Sequence, residues 1–137
     1  MANHFTLRLP AGSRERLTEE AGRAHLSERT LAQRYIEEGL RGDAHPLIRF
    51  LDGPSGRRAG LVGRGLDVWE VIATVLDNDG SITAAADYLQ IPIGLVQAAV
   101  AYYGQYREEI DAEIAANETA YERGRSAAAA AEQALRR

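Results

Sequence analysis

The side chains that most often carry catalysis or hold metal ions are few in this 137-residue chain, and they do not group by spacing. Cysteine is absent, which excludes disulfides and thiolate metal sites. The three histidines share no metal-ligand spacing: His4, His25 and His45. Residues 77–80 have the composition that opens a calcium loop, but Ile82 and Ala84 stand where further oxygen ligands are needed. We therefore expect no catalytic residue, no metal site and no cofactor, and a protein that is not an enzyme.

Polar and apolar side chains alternate near the N-terminus, so that hydrogen-bonding groups share one face. The alternation predicts a strand over residues 4–9, which Pro10 ends because proline cannot donate to a ladder. The polar face carries His4, Thr6 and Arg8, and the apolar face carries Phe5, Leu7 and Leu9. No second strand follows before the helical patterns begin. The nearest pairing partner is therefore the same strand in a second copy of the chain.

Two helical patterns follow this strand. Ser13 is predicted to cap the first helix, which ends in a turn at His25–Leu26. Ser27 is predicted to cap the second helix, which Gly39 and Gly42 weaken and stop. The apolar stripes are Leu17, Ala21 and Ala24 in the first helix and Leu31, Tyr35, Ile36 and Leu40 in the second. A unit of about forty residues buries too little apolar area alone, so two copies should intertwine around one core.

This order of strand, helix and helix, in the segment FTLRLPAGSRERLTEEAGRAHLSERTLAQRYIEEGL, resembles the ribbon-helix-helix repressors of the CopG/Arc type. The resemblance implies that paired strands enter the DNA major groove, and that the start of the second helix binds a phosphate. The implied base-reading residues are His4, Thr6 and Arg8, and the implied phosphate-binding residues are Ser27, Glu28 and Arg29. The sequence departs from the family at His25, where a glycine is common. The alternative for the polar face is the solvated outer side of an edge strand.

The charges of the chain are distributed unevenly. All 16 basic residues are Arg, and the net charge of -4 argues against indiscriminate binding to nucleic acid. Residues 1–42 hold seven Arg against six acids, and residues 43–66 hold four against two. Residues 67–117 hold one Arg against nine acids, and residues 118–137 hold four against three. A DNA-binding protein needs only one basic surface. The excess of Arg over acidic residues in the first two segments therefore matters more than the net charge of the whole chain.

A hairpin and a helix are predicted after a linker at residues 43–46. The strand-like segments Leu47–Leu51 and Arg57–Val62 flank a turn at Gly53–Gly56. Asp67 is predicted to cap the following helix, whose apolar residues are Val68, Trp69, Val71, Ile72, Val75 and Leu76. The hairpin carries Arg57, Arg58 and Arg64. These side chains either contact the DNA backbone beside the main binding element or face the acidic residues 67–117 of a neighbouring subunit.

Residues 81–96 have the spacing of a helix-turn-helix, in which Ala85 and Ala86 allow close helix crossing. The second helix presents no basic residue before Arg107, and phosphate binding needs positive charge. Its predicted outward residues are Gln97, Ala98, Ala101, Tyr102 and Gln105. A structural role is therefore favoured over direct DNA contact. The aromatic residues Trp69, Tyr102 and Tyr103 are either a contact surface or, as is more common at helical spacing, part of the core.

The pattern DVWEVI, AADYL and VQAAVAYY is similar to a small domain of unknown function in VapB-type antitoxins and related regulators. The resemblance implies that this domain helps to pair the protein with a toxin or with itself. The Ala-rich tail at residues 117–137, broken by Gly124, is predicted to be frayed until it meets a partner. VapB-type tails wrap a PIN-domain ribonuclease toxin, which implies toxin contacts at Tyr121, Arg123 and Arg125. A solvated tail without a specific role is the alternative.

The predicted fold is mainly α: an intertwined ribbon-helix-helix dimer followed by a small α+β domain with a hairpin and a helix-turn-helix-like bundle. Its divisions are residues 1–42, 43–46, 47–116 and 117–137. The leading functional hypothesis is an autoregulating antitoxin that binds double-stranded operator DNA as a homodimer or higher oligomer and neutralises a toxin. The alternatives are a free-standing regulator and an adaptor without DNA affinity. Lacking a membrane-length apolar run or a signal peptide, the protein is expected in the cytoplasm.

Overall fold

The computed structural model describes residues 3–53 and 56–136. Contacts divide the chain into two compact units, Met1–Ala44 and His45–Arg137. The elements are α1 (Ser13–Ala24), α2 (Glu28–Ala44), β1 (Ile48–Gly53), β2 (Gly56–Leu61), α3 (Val68–Asp77), α4 (Ile82–Leu89), α5 (Ile93–Gln105) and α6 (Arg107–Leu135). The described residues are thus mainly helical with one small hairpin, which confirms the predicted mainly-α class.

The first unit consists of α1 and α2 joined by a tight turn. Gly12, not Ser13, is the N-cap of α1, which corrects the sequence prediction. Gly12 has a φ of 88°, a left-handed conformation that glycine adopts without a steric penalty, and Ser13 already lies in the first helical turn. The predicted turn at the end of α1 is confirmed, because His25 has a φ of 55° and the Leu26 amide donates to the Ala21 carbonyl.

Helix α2 begins as predicted but ends later. The Ser27 hydroxyl accepts a hydrogen bond from the Thr30 amide at 3.1 Å, which confirms Ser27 as the cap. The helix then runs through Gly39 and Gly42 to Ala44, so the predicted stop at Gly42 is wrong. An internal glycine costs only about 1 kcal/mol of helix stability, which the continuing backbone hydrogen bonds offset. Two residues of the predicted linker, 43 and 44, therefore belong to α2.

Residues 3–10 form no strand in the single chain. The predicted strand needs a pairing partner from a second copy, and a lone chain offers none. The ribbon itself therefore stays a prediction. Residues 3–10 are all exposed.

The second unit begins with the predicted hairpin. Strands β1 and β2 pair antiparallel, with Ile48 opposite Leu61 and Gly53 opposite Gly56. The Val62 amide donates to the Leu47 carbonyl at 2.9 Å and extends the pairing by one step. Pro54 and Ser55, at the centre of the predicted turn, lie outside the described residues.

Helices α3, α4 and α5 and the start of α6 enclose the core of the second unit together with one face of the hairpin. Asp67 is the N-cap of α3, as predicted. The turn between α4 and α5 repeats the ending of α1, because Gln90 has a φ of 56° and the Ile91 amide donates to the Ala86 carbonyl. The predicted pair of helices with a short turn is present. Ala85 is fully buried and Ala86 nearly so, which suits the close crossing.

Helix α6 corrects the prediction for the tail. It is one helix of 29 residues that continues through Asn117 and Gly124 without a break. Ile110 is buried and Ile114 half-buried, whereas every described residue after Ile114 is exposed. High helix propensity in the Ala-rich sequence compensates for one internal glycine. The last part of α6 is therefore helical, and its side chains are exposed.

Candidate functional site

The alternating N-terminal segment is exposed on both of its faces. His4, Thr6 and Arg8 are exposed, as a contact face requires. The apolar side chains between them are exposed too: Phe5 by 76%, Leu7 by 58% and Leu9 by 41%. Large apolar side chains with this exposure favour aggregation of a monomer. Because these three are contiguous, they indicate an interaction surface.

An apolar groove of about 380 Å³ lies beside this segment on the surface of α1 and α2. Its lining residues are Leu7, Leu9, Ser13, Arg16, Leu17, Glu20, Ala32, Tyr35 and Ile36. Among the described residues of the first unit, only Ala21 and Leu31 are buried hydrophobic residues. Tyr35, Ile36 and Leu40, which belong to the predicted apolar stripe of α2, are about half exposed or more. Three of the four residues of that stripe therefore face outward in the single chain, and Leu31 is the buried one.

The N-terminus of α2 combines the three predicted phosphate-binding residues. The Thr30 amide of its first turn donates to the Ser27 hydroxyl, whereas the amides before it have no acceptor further back in the helix and are available to an anion. The carboxylate of Glu28 accepts hydrogen bonds from the Thr18 hydroxyl at 2.7 Å and from the Arg14 Nε at 2.8 Å. These hydrogen bonds, that of Thr18 first, lower the pKa of Glu28 below its usual value. The negative charge of Glu28 is thus balanced by Arg14, and Arg29 at the same end is exposed.

The three arginines of the hairpin region are placed differently from one another. Arg57 forms an ion pair with Asp52 at 3.4 Å. Arg58 is partly buried, and its Nε contacts both oxygens of Asp67, at 2.7 Å and 2.9 Å. Arg64 is exposed in the loop that follows β2. Of the three, Arg64 is the one whose placement best suits a contact with DNA backbone.

Asp67 is the centre of a polar network that the sequence analysis did not find. It accepts a hydrogen bond from the Trp69 indole nitrogen at 3.1 Å in addition to those from Arg58. Its backbone amide donates to the Glu70 carboxylate at 3.0 Å. Trp69 is half-buried, and its indole is therefore held at a defined position beside β2. The signal in the sequence was the capping role of Asp67, but nothing local indicated that Arg58 would reach it.

A cleft of about 420 Å³ adjoins this network and lies against α6. Its walls are formed by Gly56, Arg57, Arg58, Asp67, Trp69, Ala112, Glu113, Ala116, Asn117 and Ala120. The carboxyl group of Glu113 is partly buried there. Burial first, and then the negative charges of Glu109 and Asp67, raise the pKa of Glu113 to about 7, whereas Arg58 acts in the opposite direction. The cleft therefore holds a carboxyl group that titrates near neutral pH.

Tyr102 belongs to the core, not to an aromatic contact surface or to the outward side of α5. Its side chain is fully buried, and its hydroxyl donates to Glu109 at 2.9 Å. It packs against Tyr106 with a ring separation of 4.6 Å and edge-on against His45 at 5.3 Å. Tyr103 is half-buried, and its hydrogen bond to Asp111 at 2.7 Å raises its pKa above the usual value. The second helix of the pair thus offers fewer outward contacts than predicted.

The predicted toxin-binding residues all lie on the exposed part of α6. Tyr121 is 65% exposed, and Arg123 and Arg125 are exposed as well. No metal-binding group of three or more His, Cys, Asp or Glu side chains occurs within residues 3–53 and 56–136. Over the same residues, none of the helices combines the length and the apolar character that crossing a bilayer requires.

The structure brings His4, Thr6 and Arg8 together on one short segment, and Ser27, Glu28 and Arg29 at one helix end, both in the first unit. The hairpin arginines and the tail residues belong to the second unit. Comparison of the chain with protein-family models, with curated proteins and with solved structures finds no match.

Proposed function

We propose that the chain is a DNA-binding regulator that acts as a dimer, with its N-terminal segment paired to the same segment of a second copy. The observation that carries the proposal is the exposed alternation of Phe5, Leu7 and Leu9 with His4, Thr6 and Arg8 beside an apolar groove. A second copy would cover the apolar side of the segment and the exposed stripe of α2 together. The polar side would remain free.

The free polar face has side chains that suit base edges. Arg8 can donate two hydrogen bonds to a guanine, and Thr6 offers a hydroxyl and a methyl group. The width of a two-stranded ribbon fits the major groove of B-DNA. The α2 N-terminus supplies amides for a phosphate, and the pairing of Glu28 with Arg14 reduces the repulsion that its carboxylate would otherwise cause. Contacts of this kind would position the ribbon on the duplex.

A binding assay with the DNA upstream of the chain's own reading frame tests this proposal. We expect Arg8→Ala to weaken binding by about 10-fold to 100-fold, since it removes a base contact. Arg23→Ala is the matched control, because it removes the same charge from an exposed site near the end of α1 and should change affinity little. The proposal would be overturned if Arg8→Ala bound the DNA as tightly as Arg23→Ala and the unaltered chain, and if a variant in which His4 and Thr6 are also replaced still bound it equally tightly.

A second candidate function is that of an antitoxin, and the exposed end of α6 favours it. The exposed end of this helix is available to a partner, and Tyr121, Arg123 and Arg125 lie on it. A guanidinium pairs well with clustered carboxylates, which is the chemistry of a metal-dependent nuclease site. A free-standing regulator remains the alternative.

Co-expression with the product of the adjacent reading frame tests the antitoxin role. If that product is a toxic nuclease, the full chain should rescue growth, and a chain ending at Asn117 should not. The charge reversal of Arg123 and Arg125 to Glu should also abolish rescue, whereas reversal of Glu122 to Arg should preserve it. Rescue by the truncated chain would rule out the toxin-binding role of the tail and leave the DNA-binding proposal untouched.

A further inference from the structure

The exposed part of α6 carries a stripe of residues whose spacing alternates between three and four positions, as the inner positions of paired helices do. Its members are Ile114, Asn117, Tyr121, Gly124, Ala128, Ala131 and Leu135. One turn before this stripe, Ile110 is fully buried in the core of the second unit. Tyr121 and Leu135 are exposed. The face of α6 that packs on the core therefore continues along the helix as an exposed stripe.

Gly124 is the residue of this stripe that the single chain does not explain. Glycine in the interior of a helix lowers helix stability. A Cβ atom added at Gly124 would meet no atom of the described residues within 4 Å, so no close neighbour within the chain requires a glycine. Glycine on a helix surface lets another group approach the backbone closely. The position is thus suited to a large side chain that another molecule supplies.

An antiparallel pair of α6 helices supplies that side chain from a second copy of the chain. With the two-fold axis between positions 122 and 123, Tyr121 lies opposite Gly124 of the second copy. The next layers place Asn117 opposite Ala128 and Ile114 opposite Ala131 of the second copy. Each of these layers joins a larger residue to a small one. Facing positions that alternate in this way let two helices interdigitate.

The charges beside the stripe are complementary in the same arrangement. Glu118 and Arg125 lie on one side of the stripe, seven positions apart, and both are exposed. In the antiparallel pair Glu118 lies next to Arg125 of the second copy, and the two-fold axis makes this contact twice. Ala120 and Ala127 on the other side permit a close approach. A parallel pair would instead bring Glu118 next to Glu113 of the second copy, which is unfavourable.

We propose that the exposed part of α6 pairs antiparallel with the same helix of a second copy, with Tyr121 against Gly124 and Glu118 beside Arg125 of that copy. The contact lies in the second unit and goes beyond the proposed N-terminal pairing, so neither contact requires the other. A partner that binds α6 at Tyr121, as the antitoxin role requires, would compete with the second copy.

Sedimentation of the full chain with Leu7→Asp tests the proposal, because this change removes the expected pairing of the first unit and leaves α6 unaltered. We expect dimers with a Kd on the order of 100 µM, since a short contact with small residues buries little area. A chain that remains monomeric up to about 500 µM would overturn the proposal.

Two leucine variants in this background test the packing at Gly124. Gly124→Leu should weaken the association by at least about tenfold, although leucine favours the helix, because it fills the space that Tyr121 of the second copy needs. Ser126→Leu is the matched control, because it adds the same side chain to the opposite side of α6 and should leave the association unchanged. Circular dichroism verifies that both variants are helical. Equal association of the two variants would contradict the pairing.

Charge variants in the same background test the direction of the pair. Glu118→Arg should weaken the association by about tenfold at low ionic strength, because it sets two arginines side by side at each contact. Adding Arg125→Glu should restore the association. Stronger association of Glu118→Arg, which a parallel pair requires, or no restoration in the double variant, would overturn the proposal. With Leu7 intact, all of these α6 variants should keep DNA binding, so failure of this proposal leaves the proposed function untouched.

Discussion

The two units of the chain bury their apolar residues to very different extents. Among the described residues, the first unit has two buried hydrophobic residues, Ala21 and Leu31, whereas the second unit has fourteen. Both units leave large hydrophobic side chains exposed, seven in the second and six in the first, and those of the first are Phe5, Leu7, Leu9, Tyr35, Ile36 and Leu40. Those six lie on the face that the sequence pattern assigns to a core. The second unit thus has a core within one chain, and the exposed residues of the first are those that the proposed dimer would cover.

The largest expected effect comes from a charge in the incomplete core. Leu7→Asp places two carboxylates in the shared core of each dimer, and we expect dimerisation to weaken by at least about 1000-fold, or about 4 kcal/mol. Sedimentation measures the loss, and unfolding of the second unit should be unaffected. Thr6→Asp is the control, because it adds the same charge to the other face of the segment. It should leave the dimer intact and weaken DNA binding.

The corresponding change in the complete core is Tyr102→Ala. It leaves a cavity at a fully buried aromatic residue, and we expect the second unit to lose about 3 to 4 kcal/mol of unfolding free energy. Tyr102→Phe removes only the hydrogen bond to Glu109 and should cost about 1 kcal/mol. Chemical denaturation followed by far-ultraviolet circular dichroism measures both. If Tyr102→Ala also abolished dimerisation, the first unit would depend on the folding of the second. That result would contradict the proposal that the dimer is formed by the first unit alone.

The pH dependence of the second unit provides a smaller effect. The folded state raises the pKa of Glu113 from 4.5 to about 7, so folding favours the protonated carboxyl group. The contribution of Glu113 to stability is therefore largest below pH 4.5 and is lost as the pH rises through about 7. A full shift would correspond to about 3 kcal/mol, but solvent screens this partly exposed group, so we expect about 1 kcal/mol. Glu113→Gln should remove this contribution to the fall in unfolding free energy between pH 5 and pH 8. A fall of the same size in the variant would contradict the role of Glu113.

The smallest expected effect concerns the turn between α1 and α2. His25 has a left-handed φ of 55°, where a non-glycine residue is strained. His25→Gly should relieve that strain and stabilise the first unit by about 0.5 to 1 kcal/mol, after the entropic cost of glycine in the unfolded chain. Thermal unfolding of the dimer measures the gain. Loss of stability would show that the His25 side chain contributes contacts beyond those of the single chain.

Local sequence signals predicted the elements whose residues are fixed by their near neighbours. Ser27 and Asp67 were predicted as helix caps, and two strands were predicted on either side of the turn sequence at residues 53–56. The cap of α1 was misplaced by one residue because both Gly12 and Ser13 can occupy such a position. The end of α2 and the break at Gly124 were wrong because glycine lowers helix propensity without terminating a helix.

Long-range contacts could not be predicted from local patterns. Periodicity placed Tyr102 on the outward side of α5, which was wrong, because aromatic residues at helical spacing also serve as core residues and this one is fully buried. The ion pair of Arg58 with Asp67 and the partial burial of Glu113 depend on how β2 and α6 pack, which no short segment specifies. The balance of Glu28 by Arg14 likewise joins two helices across the His25 turn.

Hydrogen exchange at the amides of residues 4–9 tests most directly whether a second copy completes the first unit. We expect their exchange in the full chain to slow by at least about tenfold as protein concentration rises into the range where the dimer forms, and we expect Leu7→Asp to remove this protection. Exchange that stays as fast as in an unstructured peptide at every concentration, in a chain whose α1 and α2 are folded, would contradict it.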